Sequence, residues 1–97
     1  MAISQAIIET EHGSRYLQQL CKHWSHKFNV TFDERRGSVR FGEDMEASFD
    51  AEGHTLRLMA IHTDANRLPD LERIIADHLR RFAFREELAI EWKPLDE

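Results

Sequence analysis

The spacing of apolar residues changes repeatedly along the chain, and each change predicts an element. Residues 3–9, "ISQAIIE", are isoleucine-rich and predict a first strand. In "HGSRYLQQLCKHWSHKF", residues 12–28, Leu17, Leu20, Cys21, Trp24 and Phe28 recur at helical spacing and predict a helix with one buried stripe. Ser14 is suited to cap it, because a serine hydroxyl accepts from an orphan backbone N–H. The acid or amide three residues on that completes a capping box is missing.

The period then falls to two. Val30 and Phe32, Val39 and Phe41, then Met45, Ala47 and Phe49, and finally Leu56 and Leu58 take the inward positions of four short strands. Arg40, Glu46, Ser48, Thr55 and Arg57 take outward positions, so one face of an antiparallel meander is wetter than the other. The helical period returns in "TDANRLPDLERIIADHLRRFAF", with Leu68, Leu71, Ile74, Ile75, Leu79 and Phe82 as the core stripe. Asp64 or Asn66 can cap this helix, and Pro69 sits near its start, where a missing N–H costs little. Asp70 and Glu72 lie near its positive end and Arg80 and Arg81 near its negative end, as the dipole favours. "LAIEW" predicts a closing strand with Leu88, Ile90 and Trp92 on one face.

The predicted order is β-α-β-β-β-β-α-β. It describes an α+β, two-layer domain with a largely antiparallel sheet and both helices on one face. Periodicity leaves the strand order open. With 97 residues, 41% of them hydrophobic, the expectation is a single domain over residues 1–97.

Charge and cysteine usage narrow the function classes. A net charge of −5 argues against general nucleic-acid binding, which needs a basic face. Arg35 and Arg36 form a small basic doublet, in a predicted turn. The single cysteine allows no internal disulfide and fits a reducing compartment, so a cytoplasmic location is expected. No secretory pattern is seen in "MAISQAIIETEH", and no apolar run approaches the roughly 18 residues of a membrane span.

The stretch "CKHWSHKF" carries most of the candidate chemistry: one thiol and two imidazoles within eight residues. At roughly 100° per residue, Cys21 falls inside the buried stripe, His23 at its border and His26 toward solvent. A regular helix therefore keeps Cys21 and His26 from sharing a metal. Cys21 reads as a small core hydrophobe. His23 and His26 are candidate metal ligands, but a zinc-like site needs a third ligand from elsewhere in the fold. His26 and Lys27 also suit a helix C-terminus as cations. His78 lies on the apolar side of the second helix, as a hydrogen-bonded core histidine would. Arg81 and Arg85 can present guanidinium forks to an acidic ligand or partner, or pair with nearby carboxylates, which is the expectation favoured. Glu86 and Glu87 are expected to be solvated. There is no P-loop, GxGxxG, GxSxG or HExxH.

Two segments, "RYLQQLCKHWSHK" and "LERIIADHLRRFAFREELAIEW", with "VTFDERRGSVRFG" between them, resemble a small bacterial family of unknown function. The resemblance rests on Leu20, Cys21, His23, His26 and Lys27, and on His78, Leu79, Arg81, Phe82, Ala83, Arg85 and Glu86. It implies a stand-alone domain, or one associated with siderophore-interacting flavin reductases and so with iron handling. It implies no activity and no catalytic residues.

The expectation is a small, non-enzymatic binding or accessory domain, with a partner protein or a small acidic or metal-chelate ligand and no predicted cofactor. The candidate binding residues are His23, His26, Lys27, Arg81 and Arg85. A metal-dependent protein or enzyme using His23 and His26 with a third ligand is one alternative. A domain that self-associates through an exposed strand edge is another.

Overall fold

A computed structural model describes residues 1–95 of the chain. The elements are β1 (Ala2–Glu9), α1 (Gly13–Trp24), β2 (Asn29–Phe32), β3 (Arg36–Arg40), β4 (Met45–Glu52), β5 (Thr55–His62), a 3₁₀ turn (Ala65–Arg67), α2 (Leu68–Phe82) and β6 (Lys93–Pro94). This is the α+β order that the hydrophobic pattern predicts. The strands form one antiparallel sheet in the order β2-β3-β4-β5-β1-β6. The four central strands pair as a meander, and β1 then adds to the far side of β5 along its whole length, from Ala2 opposite His62 to Glu9 opposite Thr55.

The register sorts side chains by face. Ala6, Ile8, Val39, Ala47, Phe49, Leu56, Leu58 and Ala60 are buried in one cluster with Leu17, Leu20, Cys21 and Trp24 of α1 and Leu71, Ile75 and Leu79 of α2. The opposite face carries the predicted polar residues, and they neutralise one another across strands. Arg40 meets Glu46 at 3.6 Å, while Asp50 accepts from Arg57 at 3.0 Å and forms an ion pair with Arg36 at 3.4 Å.

Gly37 sets how closely α1 approaches the sheet. It lies buried in β3 opposite Phe32 and Phe49. A Cβ at this position would fall 2.6 Å from Cys21 Sγ and 3.3 Å from Leu17 Cδ2, so the helix sits where only a glycine leaves room.

Four local expectations are corrected. Helix α1 stops at Trp24 rather than running to Phe28. There the Ser25 hydroxyl donates to the Lys22 carbonyl at 2.8 Å, and the chain turns toward β2. Ser14 does not cap α1: its hydroxyl donates to the Glu34 carbonyl at 2.6 Å, and His12 holds the cap position without a side-chain bond. Asp64 caps the 3₁₀ turn instead of α2, accepting from the Asn66 N–H at 2.9 Å. Residues 88–92 are not a strand. Leu88, Ile90 and Trp92 are half-buried against the core, Ile90 and Trp92 pack beside α2, and β1 pairs only with Lys93 and Pro94. Their alternation reflects packing against the helical layer rather than a ladder.

The close approach at Gly37 is testable. Gly37→Ala forces Cys21 and Leu17 outward and should lower unfolding stability in denaturant titration by about 1–3 kcal/mol. Adding Cys21→Ala, which removes the nearest atom, should return part of that loss. Additive losses would place the strain elsewhere.

Candidate functional site

Trp24, at the last position of α1, anchors the site. Its ring packs against Phe41 with centroids 5.0 Å apart and stacks over Phe49 at 6.2 Å, which binds the end of α1 to the core. On its other side the same ring meets His78 of α2 at 5.0 Å. His23 precedes Trp24 and is carried with it, so its imidazole lies 5.2 Å from that of His78 and 6.0 Å from Phe82. A nitrogen of the His78 ring sits 2.8 Å from the Ile74 carbonyl. A carbonyl only accepts, so Nδ1 of His78 carries the proton and Nε2 is the acceptor in the neutral ring.

Two permanent cations, Arg81 and Lys27, act on the nearer of these two imidazoles, His23. The His23 pKa is held below its ordinary value, first by desolvation against its neighbours and then by His78, Arg81, His26 and Lys27. All four charged influences act in the same direction. The fold thus brings together His23, His26, Lys27 and Arg81, four of the residues predicted from sequence, and adds His78, which had read as a core histidine and is in fact half-buried at the edge of this face. His26 and Lys27 lie in the exposed turn after α1. Arg85 is exposed beyond α2, with its guanidinium 5.5 Å from the ring of exposed Phe84. The expected pairing of Arg81 and Arg85 with carboxylates does not occur: among the described residues neither forms an ion pair, and neither does Lys27.

The two exposed rows of α2 differ in the same respect. Asp70, Arg73, Asp77 and Arg80 form one row that is internally neutralised, with Arg73 at 3.5 Å from Asp70 and Arg80 at 4.0 Å from Asp77. Ile74, His78 and Arg81, spaced four and three residues apart, form the other row, and it contains no carboxylate. Ile74 was expected in the core but is 40% exposed.

A second polar cluster was missed in the sequence. Glu86 is not solvated as a loop residue. It accepts from the Tyr16 hydroxyl, and the Thr10 hydroxyl lies 3.1 Å from both of its carboxylate oxygens. Thr10 also accepts from the His12 N–H at 3.1 Å. The partners lie 70 and 76 positions from Glu86 in the chain, so no local spacing signals them. Beside them an open cleft of about 540 Å³ is bordered by His12 and His54. The Glu86 carboxylate is already committed to two internal donors, and His54 to Glu11 at 3.7 Å, so the cluster ties the segment after α2 to β1 and α1.

The one thiol is not poised to react. Cys21 is fully buried beneath α1, and burial pushes its thiol up to about 11. Among the described residues no group of three or more His, Cys, Asp or Glu side chains is arranged to hold a metal ion, so His23 and His26 are not joined there by a third ligand.

The family follows from comparison of the whole chain with family models. The model of DUF2218, an uncharacterized protein conserved in bacteria, matches residues 5–93. The chain belongs to this family. The NMR structure of PA4090 from Pseudomonas aeruginosa is similar, with 35% sequence identity, a TM-score of 0.81 and 96% of each chain covered. The DUF2218 fold described above is therefore shared with that structure. No curated protein matches the chain. No helix among the described residues is long and apolar enough to cross a membrane.

Tyr16 is the only tyrosine in the chain, so its phenol can be followed alone. Burial, then the hydrogen bond and charge of Glu86, push its pKa from the ordinary 10 up to about 12. Its neutral form is the one the fold favours. The associated stability is held below pH ~10 and lost as pH rises from about 10 toward about 12. Absorbance titration at tyrosinate wavelengths should show a midpoint near the raised value, and Glu86→Gln should lower it.

Proposed function

We propose that the protein is a small non-enzymatic binding domain whose binding surface is the helical face around His23 and His78, and that it receives an anionic ligand. The observation that carries this reading is the uncompensated positive charge there. In a chain of net charge −5, Arg81 and Lys27 stand beside three imidazoles with no carboxylate paired to them among the described residues. Elsewhere the charges of the sheet face, the second row of α2 and Glu86 are satisfied internally. The Arg81 guanidinium of α2, the Lys27 ammonium in the turn after α1 and the His23 ring N–H suit carboxylate or phosphate oxygens.

The absence of a catalytic template, a thiol raised by burial and a phenol raised by burial and a carboxylate support binding rather than catalysis. A cytoplasmic setting belongs to the same proposal, since the single thiol is kept in the core without a disulfide partner. Negatively charged metal chelates fall within the ligand class, which keeps the iron and siderophore link implied by the family resemblance inside this reading.

Citrate serves as the probe. Backbone-amide NMR spectra should shift saturably at residues 22–28 and 74–82 as citrate is added. Arg81→Glu should weaken the binding about tenfold or more, while Arg57→Gln on the sheet face should leave it unchanged. Unchanged binding in Arg81→Glu, or shifts centred on another surface, would remove the support for this reading. Saturable Zn²⁺ binding lost in His23→Ala, without citrate binding, would favour the metal alternative.

A further inference from the structure

Resting on the anion-binding reading above, we propose that the natural ligand of this face is an acidic peptide segment carrying large apolar side chains. Its carboxylates are received by Arg81, Lys27 and the His23 imidazole, and its apolar side chains by Ile74 and Phe84.

In sequence, His78 and Arg81 lie between two exposed hydrophobic residues. Ile74 is one helical turn before His78 and 40% exposed, although it belongs by spacing to the apolar stripe of α2. Phe84 lies three residues after Arg81 and is 75% exposed, with Arg85 against its ring. Single exposed apolar residues are ordinary on a protein surface. These two are distinguished by their position: Ile74 stands in the α2 row with His78 and Arg81, which contains no carboxylate, and Phe84 follows directly after the end of α2. At 1.5 Å per residue, α2 alone spans about 12 Å from Ile74 to Phe82. That is the reach of roughly four extended residues or eight helical ones. The separation is more than a small acid bridges and matches a short peptide.

Charge complementarity selects the occupant. A basic or neutral apolar segment would leave Arg81 and Lys27 without a counter-charge against the partner, which costs affinity and specificity. An anion with no apolar groups would leave Ile74 and Phe84 in water. A peptide that alternates acidic and large apolar side chains satisfies both sets. The Asp70–Arg73–Asp77–Arg80 row borders the face on one side, and its internally paired charges offer such a peptide little further attraction.

The test uses four fluorescent probes and anisotropy at low salt: a twelve-residue peptide of alternating Glu and Leu, the same peptide with Leu replaced by Ser, the same with Glu replaced by Gln, and oligothymidylate. The Glu/Leu peptide should bind at least about tenfold more tightly than each of the others, and its affinity should fall as salt is raised. Arg81→Glu and, separately, Phe84→Ser should each weaken it severalfold. Both side chains are exposed, and thermal melts of the variants check that the fold is kept. Equal binding of the Glu/Ser peptide would overturn the apolar half of the inference while leaving the citrate reading intact. Equal binding of the Glu/Leu peptide to the Phe84→Ser and Arg81→Glu proteins, or tighter binding of oligothymidylate, would overturn the inference. Failure of citrate and all peptides together would overturn both.

Discussion

The seat of α1 on β3 is the constraint on which the rest of the structure depends. Gly37 lets Leu17 and Cys21 come down onto the sheet to a distance that any side chain there would forbid. At that depth Trp24 reaches Phe41 and Phe49, and the core closes around it. The same ring forms a wall for His78, so the packing that completes the core also places His23 beside α2. A helix held farther out would separate the two imidazoles and dissolve the face. Fold and site therefore rest on a single steric fact, because protein interiors pack densely and displacements at one contact are passed on.

Electrostatics then distinguishes this face from the rest of the surface. On the outer sheet face each arginine among Arg36, Arg40 and Arg57 lies across from an acid, and Asp50 serves two of them. The exposed acids of α2 are answered by arginines three residues on. Glu86, in the loop after α2, is half-buried and bonded to two hydroxyls. Where α1 and α2 meet, by contrast, Arg81 and Lys27 form no ion pair among the described residues. An acidic protein that concentrates unpaired cations in one place attracts anions there and repels them elsewhere, which favours a defined binding orientation.

The layers, the element order and most of the core were legible in the sequence because periods of two and 3.6 survive in short windows. Val39, Phe49, Leu58, Leu71 and Leu79 are buried as that pattern requires. The ends of elements were less legible. Leu88, Ile90 and Trp92 alternate as a strand would, but the alternation records packing on α2, and side-chain spacing alone does not reveal whether a ladder partner exists. His23, His26, Lys27 and Arg81 were recognisable by residue type, yet their common location depends on how two helices separated by four strands come together. His78 and Glu86 were misjudged for the same reason. His78 packs against His23 and Trp24 of α1, and Glu86 bonds to Thr10 and Tyr16, and no spacing within either segment points to these contacts.

A pH titration of the His23 imidazole by NMR, in the wild-type protein and in Arg81→Glu, tests the central claim most directly. Crowding by Trp24, His78 and Phe82, together with positive neighbours on both helices, requires His23 to titrate below the ordinary histidine value. Replacing Arg81 with an acid should raise the midpoint, since a cation is lost and a counter-charge gained. A His23 midpoint at or above the ordinary value, unmoved in the variant, would contradict a cationic face built by the meeting of α1 and α2.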